Sequence, residues 1–305
     1  MGEVNSELKK INSIEIHNDM ITAITTFPSG NIISVSKDKS INIYDINFNL
    51  IQKIKNISNK QLSYVCVKDE NNFITSSFDG CIKSWIKNNL NQFQLNQIIN
   101  YSTNCIIYKL IYSSRKIFSC SWDGKIKIYG ENNNNLYQLI TIIQHFKSIH
   151  SILLLEDKNI LISSGYNEEL KFYDIINYNI LISFPKIFCI NNDSLERLDN
   201  DTIIIGGKDY TIKIISINKK IIIKEIKIEV NSWGIFSIYH RKIFLIGGLT
   251  EQGETSIKIF RNHNYECIQT IKKPHKFLIN NFIELKNGLI ASYGWDGIIN
   301  IWSFK

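Results

Sequence analysis

Length, composition and charge describe an ordinary globular chain. The sequence has 305 residues, of which 44% are hydrophobic and 21% are charged, with a formal net charge of +7. These values fit one large domain or two modest ones. No apolar run approaches the roughly 18 to 20 residues that a membrane-spanning helix needs, so we expect no membrane insertion.

The sequence contains few motifs for targeting or for redox chemistry. The N-terminus lacks the apolar core of a secretory signal, and we expect an intracellular protein, cytoplasmic or nuclear. Gly2 lies in a Met-Gly-x-x-x-Ser pattern for myristoylation, which is too short to support a prediction of a lipid anchor. The cysteines show neither a CxxC pair nor a Cys/His ligand spacing, which predicts free thiols, no metal and no cofactor. They are Cys66, Cys81, Cys105, Cys120, Cys189 and Cys267.

One short pattern recurs along the whole chain. It consists of an acidic or amide lead residue, two further residues, and then an apolar, polar, apolar, aromatic sequence, as in "DGKIKIY" and "DGIINIW". The lead residues are Asp38, Asp79, Asp123, Asn167, Asp209, Glu254 and Asp296. Successive lead residues are 41, 44, 44, 42, 45 and 42 positions apart. Seven copies at so constant a period indicate a repeat protein.

Each repeat predicts four β-strands. Residues alternate between apolar and polar around every lead residue, which is the period of strands joined by a tight turn. Asp-Gly pairs at 79–80, 123–124 and 296–297 supply the positive dihedral angles of a two-residue turn. A further apolar stretch lies on either side of each hairpin, and we interpret residues 219–229 as an outer strand with alternating exposure. Four strands in about 42 residues form one blade of a β-propeller.

The repeats resemble the WD40 family, and the resemblance covers essentially the whole chain. In that family the turn aspartate, a histidine of the preceding loop, a strand serine or threonine and a tryptophan form one hydrogen-bonded set. Three repeats keep a histidine 21 or 22 residues before the lead residue, namely His17, His145 and His275. Five keep the hydroxyl residue four positions before it, namely Ser34, Thr75, Ser119, Ser163 and Ser292. Tryptophan stands only at Trp85 and Trp302, and the fifth and sixth repeats lack the histidine.

The two ends of the chain are expected to meet. Residues 7–16 read as a strand without a blade of its own, whereas nothing strand-like follows Lys305. We therefore predict a single all-β domain, residues 1–305, forming a seven-bladed propeller of four-stranded antiparallel blades. The N-terminal strand 7–16 completes the seventh blade and removes an open sheet edge.

The resemblance also indicates where a partner binds. In WD40 proteins the residue before the turn aspartate and residues near the start of the innermost strand lie on the top face. Here these positions are Lys37, Phe78, Trp122, Tyr166, Lys208, Gly253 and Trp295, with Trp233 and Phe277 at the strand starts. Aromatic rings bury a large area and have few rotatable bonds, so they are good anchors. We predict an aromatic peptide-binding surface; the alternative is that some of these rings pack on neighbouring blades.

Two other classes of function, an enzyme and an RNA-binding protein, are the alternatives to peptide binding. His17, Ser34 and Asp38 could suggest a nucleophilic triad, but the same set recurs along the chain, which favours a structural role. An enzyme would need acids, histidines or metal ligands where the chain has aromatic residues and lysines. The net charge of +7, together with the aromatic residues, leaves an RNA- or ribosome-binding propeller as the alternative, favoured if the lysines cluster on one face. We interpret the lysines in the polar slot of the third strand as solvated, which requires no ligand. They are Lys83, Lys127, Lys171, Lys213 and Lys258.

The sequence thus predicts a non-enzymatic scaffold or adaptor. Its top face is expected to capture a peptide or loop of another protein, with ubiquitin among the candidates, and to help assemble a multiprotein complex. The propeller itself is expected to be monomeric within that complex.

Overall fold

The computed structural model describes residues 7–100, 105–145, 147–166, 169–185, 187 and 193–305. Within them the chain forms 28 β-strands and two three-residue 3-10 helices, Glu156–Lys158 and Tyr239–Arg241. No helix of these residues has the length and apolar character to cross a membrane. Isoleucine dominates the strands because its branched side chain packs well on a pleated sheet.

The first sixteen strands after β1 form four antiparallel sheets, each with its strands in chain order. We call these sheets blades one to four. Their strands are β2 (Ile21–Thr26), β3 (Ile32–Ser36), β4 (Ile41–Tyr44) and β5 (Leu50–Ile54); β6 (Leu62–Asp69), β7 (Asn72–Ser77), β8 (Cys81–Lys87) and β9 (Phe93–Asn100); β10 (Ile107–Ser113), β11 (Lys116–Ser121), β12 (Lys125–Glu131) and β13 (Tyr137–Gln144); and β14 (Ile149–Leu155), β15 (Ile160–Gly165), β16 (Glu169–Asp174) and β17 (Ile180–Pro185).

Three further sheets, blades five to seven, follow the same order. Their strands are β18 (Leu195–Arg197), β19 (Thr202–Gly206), β20 (Thr211–Ser216) and β21 (Ile221–Lys227); β22 (Asn231–Ile238), β23 (Ile243–Leu249), β24 (Thr255–Arg261) and β25 (Cys267–Lys272); and β26 (Ile279–Glu284), β27 (Ile290–Gly294) and β28 (Ile298–Phe304). The fourth strand of blade seven is β1 (Leu8–Glu15), which pairs antiparallel with β28. The all-β, seven-bladed propeller fold and its completion by the N-terminal strand are therefore confirmed.

The chain packs as two compact units. One contains residues Thr22–Asn192, and the other contains Met1–Ile21 together with Asp193–Lys305. In the first unit aromatic rings fill the space between blades one and two. Phe73 stacks on Trp85 with ring centroids 5.7 Å apart and meets Phe93 edge-on at 4.9 Å. Such ring pairs add about 0.5–1.5 kcal/mol each to the stability that burial provides.

The turns between second and third strands are longer than predicted. In blade three the turn is Trp122-Asp123-Gly124, and the Gly124 N–H donates to the Ser121 carbonyl at 3.2 Å. Of these three residues only Gly124 has a positive φ, 71°. A type I turn followed by one left-handed residue explains this pattern and corrects the predicted two-residue turn. In blades one and five the left-handed residue is not glycine but Lys39 and Tyr210, respectively.

The outer strand of blade five is exposed on both faces. Residues Ile221, Ile222 and Ile223 of β21 are 49%, 41% and 44% exposed. The predicted alternation is therefore wrong, because β21 is the last strand of its sheet and neither face is covered over this stretch. Apolar side chains are also exposed on the outer strands of blades one to four. They are Leu50, Ile51, Leu95, Ile98, Leu139, Ile140, Ile142, Ile180 and Leu181.

Candidate functional site

Blade seven contains a complete hydrogen-bonded polar set. His275 Nδ1 lies 3.1 and 2.9 Å from the two carboxylate oxygens of Asp296, and its Nε2 lies 2.7 Å from Ser292 Oγ. Trp302 Nε1 donates to the same hydroxyl at 2.9 Å. A carboxylate can only accept, so Nδ1 carries a proton and donates it to Asp296. The set joins the loop after β25 to strands β27 and β28.

Asp296 is the electrostatic centre of this set. Its carboxylate also accepts the backbone N–H groups of Lys276 at 3.1 Å and Ile298 at 3.2 Å. Burial alone would raise the pKa of Asp296, but the hydrogen bond and charge of His275 outweigh burial and lower that pKa. The aspartate therefore stays ionised and structural rather than available to a ligand.

Blade two builds a similar set without histidine. Trp85 Nε1 donates to Thr75 Oγ1 at 2.9 Å, and Ser58 Oγ donates to Asp79 Oδ2 at 2.7 Å. Ser58 stands 21 residues before Asp79 and occupies the loop position that histidine holds in blade seven. Sequence analysis missed Ser58, although its interval before the aspartate was the signal that could have found it.

In blades one and three the turn aspartates bind their own hairpins. Asp38 accepts from the Ser40 N–H at 2.9 Å and the Ser40 hydroxyl at 2.6 Å. Asp123 accepts from the Lys125 N–H at 3.1 Å and from the Ser121 hydroxyl. The strand serines are buried, with Ser34 Oγ donating to the Asn42 carbonyl at 3.5 Å and Ser119 Oγ to the Lys127 carbonyl at 3.1 Å. His17 is buried as well.

The predicted polar residues of blades four and five are placed as follows. Asn167 lies outside the described residues, while His145 and Ser163 are fully buried. In blade five Asp209 accepts the Thr211 N–H at 3.2 Å and lies 3.4 Å from Lys213 Nζ. Burial, together with the positive charge of Lys171, lowers the pKa of His145 from its ordinary 6.5 to about 4.

This pKa predicts a loss of stability in mild acid. Between pH 6.5 and pH 4 the unfolded chain binds a proton at His145 that the folded chain does not bind. The free energy of unfolding therefore falls as the pH falls, by up to about 3 kcal/mol from this group. Urea unfolding at about pH 7 and about pH 4.5 would measure the loss. A His145→Asn variant should lose less between the two conditions, and an equal loss would contradict the assignment.

A β-bulge recurs near the start of the first strand. In each case one residue is skipped in the pairing of the first and second strands. The skipped residues are Ser63, Tyr108, His150, Trp233 and Asn280. A bulge re-aims a side chain away from the regular pleat. Four of these side chains contact the exposed aromatic residues of the turns, as the next two clusters show.

The first cluster lies in the unit of residues 22–192 and is called the Trp122 patch. It comprises the contacting rings of Tyr108, Trp122 and His150, with Tyr166 in the turn of the next blade. The rings of Tyr108 and His150 stack at 4.2 Å, and Trp122 lies 6.4 and 6.5 Å from them. Trp122 is 57% exposed and Tyr166 is 55% exposed. Their backbone N–H groups donate at 2.9 Å to the carbonyls of Ile106 and Ser148, each the residue just before a first strand, so fixed backbone holds the exposed rings.

The second cluster lies in the other unit and is called the Trp295 patch. It comprises Trp233, Phe277, Asn280 and Trp295. The two indoles meet edge-on with centroids 5.8 Å apart, and Trp295 Nε1 donates to Asn280 Oδ1 at 2.9 Å. The Trp295 N–H donates to the carbonyl of Leu278, the residue after Phe277. Trp295 is 41% exposed, whereas Trp233 is half-buried against it.

The other predicted contact residues do not belong to either patch. Lys37 and Lys208 are exposed in the turns of blades one and five, and Phe78 is half-buried in the turn of blade two. Sequence analysis missed Tyr108, His150 and Asn280, the supports of the two patches. Aligning Trp233 with the same slot of the other repeats was the signal that could have found them.

The third-strand lysines are not solvated as predicted. Four of them are 5–8% exposed, namely Lys127, Lys171, Lys213 and Lys258, and Lys83 is half-buried. The ammonium groups reach nearby acceptors instead of bulk water. Lys171 Nζ lies 2.7 Å from Glu169, and Lys258 Nζ lies 2.8 Å from Glu229. Burial lowers the pKa of Lys127. These lysines are not available to bind phosphates at the surface.

There is no group of three or more histidine, cysteine, aspartate or glutamate side chains that could hold a metal ion among the described residues. None of Cys66, Cys81, Cys105, Cys120 and Cys267 is part of a disulfide, and Cys189 and Gly2 lie outside the described residues.

Comparison with known proteins identifies one repeat directly. Residues 8–45 match the WD40 family model, described as WD domain, G-beta repeat. The match spans β1 and the first three strands of blade one. No curated protein matches the chain.

Proposed function

We propose that this chain, a seven-bladed propeller whose first repeat matches the WD40 family, is a non-enzymatic scaffold that binds partner proteins through its turn aromatics. WD40 propellers generally mediate interactions between proteins. The observation that carries the proposal is that Trp122, Tyr166 and Trp295 expose 41–57% of their surface on hydrogen-bonded turns. Exposed aromatic residues on fixed backbone are the usual anchors of a protein interface.

In the proposed mechanism the fold holds the binding side chains in place before a partner docks. Each tryptophan is supported from beneath by bulge side chains, Trp122 by Tyr108 and His150 and Trp295 by Trp233 and Asn280. A partner segment that docks on such rings orders few additional groups of this protein. Less conformational entropy is lost on association, and more of the burial energy appears as affinity.

The polar sets support a structural rather than a catalytic role. The hydroxyl of Ser292 already contacts His275 and Trp302, and the serine is fully buried. A nucleophile must reach a substrate carbonyl, which this serine does not. Four of the third-strand lysines are buried and do not add to a basic surface, which favours a protein partner over RNA. Ubiquitin remains one of the protein partners that the proposal admits.

Partner capture from a lysate of the source cell tests the proposal. The wild-type protein and a Trp122→Ala/Trp295→Ala variant are compared in low and moderate salt with nuclease treatment. Partner proteins should persist with wild type and be lost by about tenfold or more with the double variant, because each anchor contributes at least about 1–2 kcal/mol.

A matched control distinguishes anchoring by the turn aromatics from nonspecific binding by any exposed aromatic ring. Tyr239 is 59% exposed in the loop between the first and second strands of blade six, the opposite end of the sheet from the turns. Tyr239→Ala should retain the partners. Recovery of RNA or ribosomes that salt removes and the tryptophans do not affect would contradict the proposal and favour the alternative.

A further inference from the structure

A polar groove of about 490 Å³ lies between blades six and seven. Lys10 and Ser13 of β1 and Asn300 of β28 form one wall, and Glu254 and Thr255 form the other. The loop from Lys273 to Lys276 closes one end. This volume is within the range of small-ligand sites in proteins. All of these residues belong to one compact unit.

The groove is open because the turn of blade six is unusual. In blades three and seven the turn glycine packs against the loop that follows the outer strand. A Cβ atom on Gly124 would lie 2.7 Å from the carbonyl oxygens of His145 and Lys147, and one on Gly297 would lie 2.5 Å from that of His17. The turn of blade six, residues 250–254, is five residues long, and a Cβ on Gly253 would meet nothing within 4 Å. The corresponding space is left empty.

Two lysines of the groove carry uncompensated charge. Lys273 is paired with Glu254 at 2.7 Å, and the Asp296 carboxylate is satisfied by His275 and two backbone N–H groups. Among the described residues no carboxylate pairs with Lys10 or with Lys276, and both side chains are exposed. The Lys276 ammonium lies 5.4 Å from the centroid of the Phe277 ring. The groove therefore presents two free cations to an incoming ligand.

The uncharged polar side chains of the groove already form hydrogen bonds with one another or with the backbone. Ser13 Oγ donates to Asn300 Oδ1 at 2.5 Å, Asn300 Nδ2 donates to the Pro274 carbonyl at 2.7 Å, and Thr255 Oγ1 donates to the His275 carbonyl at 2.6 Å. These hydrogen bonds fix the walls of the groove and involve neither Lys10 nor Lys276. The +7 net charge of the chain further favours the approach of negatively charged partners.

We propose that this groove, flanked by Lys10 and Lys276, binds an acidic segment of a partner protein through aspartate or glutamate side chains. Carboxylates fit two separated ammonium groups because each can accept a charge-assisted hydrogen bond from one lysine. The site is distinct from the turn aromatics, although Lys276 lies directly before Phe277 of the Trp295 patch. A partner could engage both surfaces, with the acidic segment setting orientation and association rate.

Fluorescence anisotropy with a labelled peptide of alternating aspartate and serine tests the proposal in low salt. Wild type should bind this peptide and not its asparagine–serine counterpart. Lys10→Ala/Lys276→Ala should weaken binding by at least about tenfold, since hydrogen bonds to charged groups have that effect when lost. Lys10→Arg/Lys276→Arg should retain binding, and Glu254→Gln should strengthen it by removing a repelling carboxylate.

Matched variants make the result specific to the groove. Lys9 lies on the same strand but pairs with Glu7 at 3.0 Å, so Lys9→Ala should leave the affinity unchanged. The Trp122→Ala/Trp295→Ala variant should also bind the acidic peptide normally, which separates this proposal from the proposed function. Absence of binding by wild type, an equal loss in Lys9→Ala, or tighter binding of an oligouridylate or of inorganic phosphate than of the peptide would overturn the proposal.

Discussion

Replacing His275 with alanine is expected to lower the free energy of unfolding by about 3–5 kcal/mol. The imidazole is fully buried and links Asp296, Ser292 and, through the serine, Trp302. Its removal leaves a buried carboxylate without its main partner and a buried hydroxyl with one fewer contact. The cost is large because the side chains of His275 and Asp296 are only 0% and 4% exposed, so water replaces few of the lost bonds.

Urea unfolding of purified protein measures this effect. His240 provides the control, because its side chain is 58% exposed and its ring lies 3.4 Å from Glu284 at the surface. His240→Ala should change the free energy of unfolding by less than about 1 kcal/mol. Similar losses in the two variants would show that the buried set does not contribute to stability as described.

Replacing Gly248 with alanine is the second large effect and should cost at least about 3 kcal/mol. A Cβ atom built on Gly248 would lie 1.9 Å from the carbonyl oxygen of Asn231 in the paired strand. That atom belongs to the backbone and cannot move without separating β22 from β23. The pairing of Gly248 with Ser232, next to the bulge at Trp233, therefore depends on the missing side chain.

Gly288 supplies the contrast for this prediction. It has a φ of 78°, and a Cβ on it would meet nothing within 4 Å. Gly288→Ala should cost only about 1 kcal/mol, the price of a left-handed backbone with a side chain. Thermal melts of the two variants should differ clearly; a smaller loss for Gly248→Ala than for Gly288→Ala would mean that the strands relax around the new methyl group.

The repeat period was enough to predict the sheets. Seven lead residues from Asp38 to Asp296 fixed the number of blades, and the unpaired stretch at residues 7–16 predicted that β1 joins β28. Both follow from sequence patterns that have a direct structural cause. These are the alternation of apolar and polar residues in strands and the residue preferences of tight turns. The histidine interval likewise pointed to His275 and Asp296, which the structure places in contact.

Other features could not be predicted because they depend on strand register and on which side chains are buried in the folded protein. A bulge moves one residue out of the pleat without changing the hydrophobic pattern, so Tyr108 and Asn280 did not stand out. The polar slot of the third strand suggested solvent, yet Lys171 is buried and its ammonium group pairs with Glu169. The three-residue turn of blade three was equally concealed, since Asp123-Gly124 suits a shorter turn as well.

The identity of the interacting surface is the central claim, and hydrogen–deuterium exchange of the protein alone and with its captured partner tests it most directly. We expect added protection at the turns that carry Trp122, Tyr166 and Trp295 and at the bulges beneath them. Protection confined to the exposed apolar outer strands, such as β13 and β21, would contradict the claim and place the interface on the blade edges.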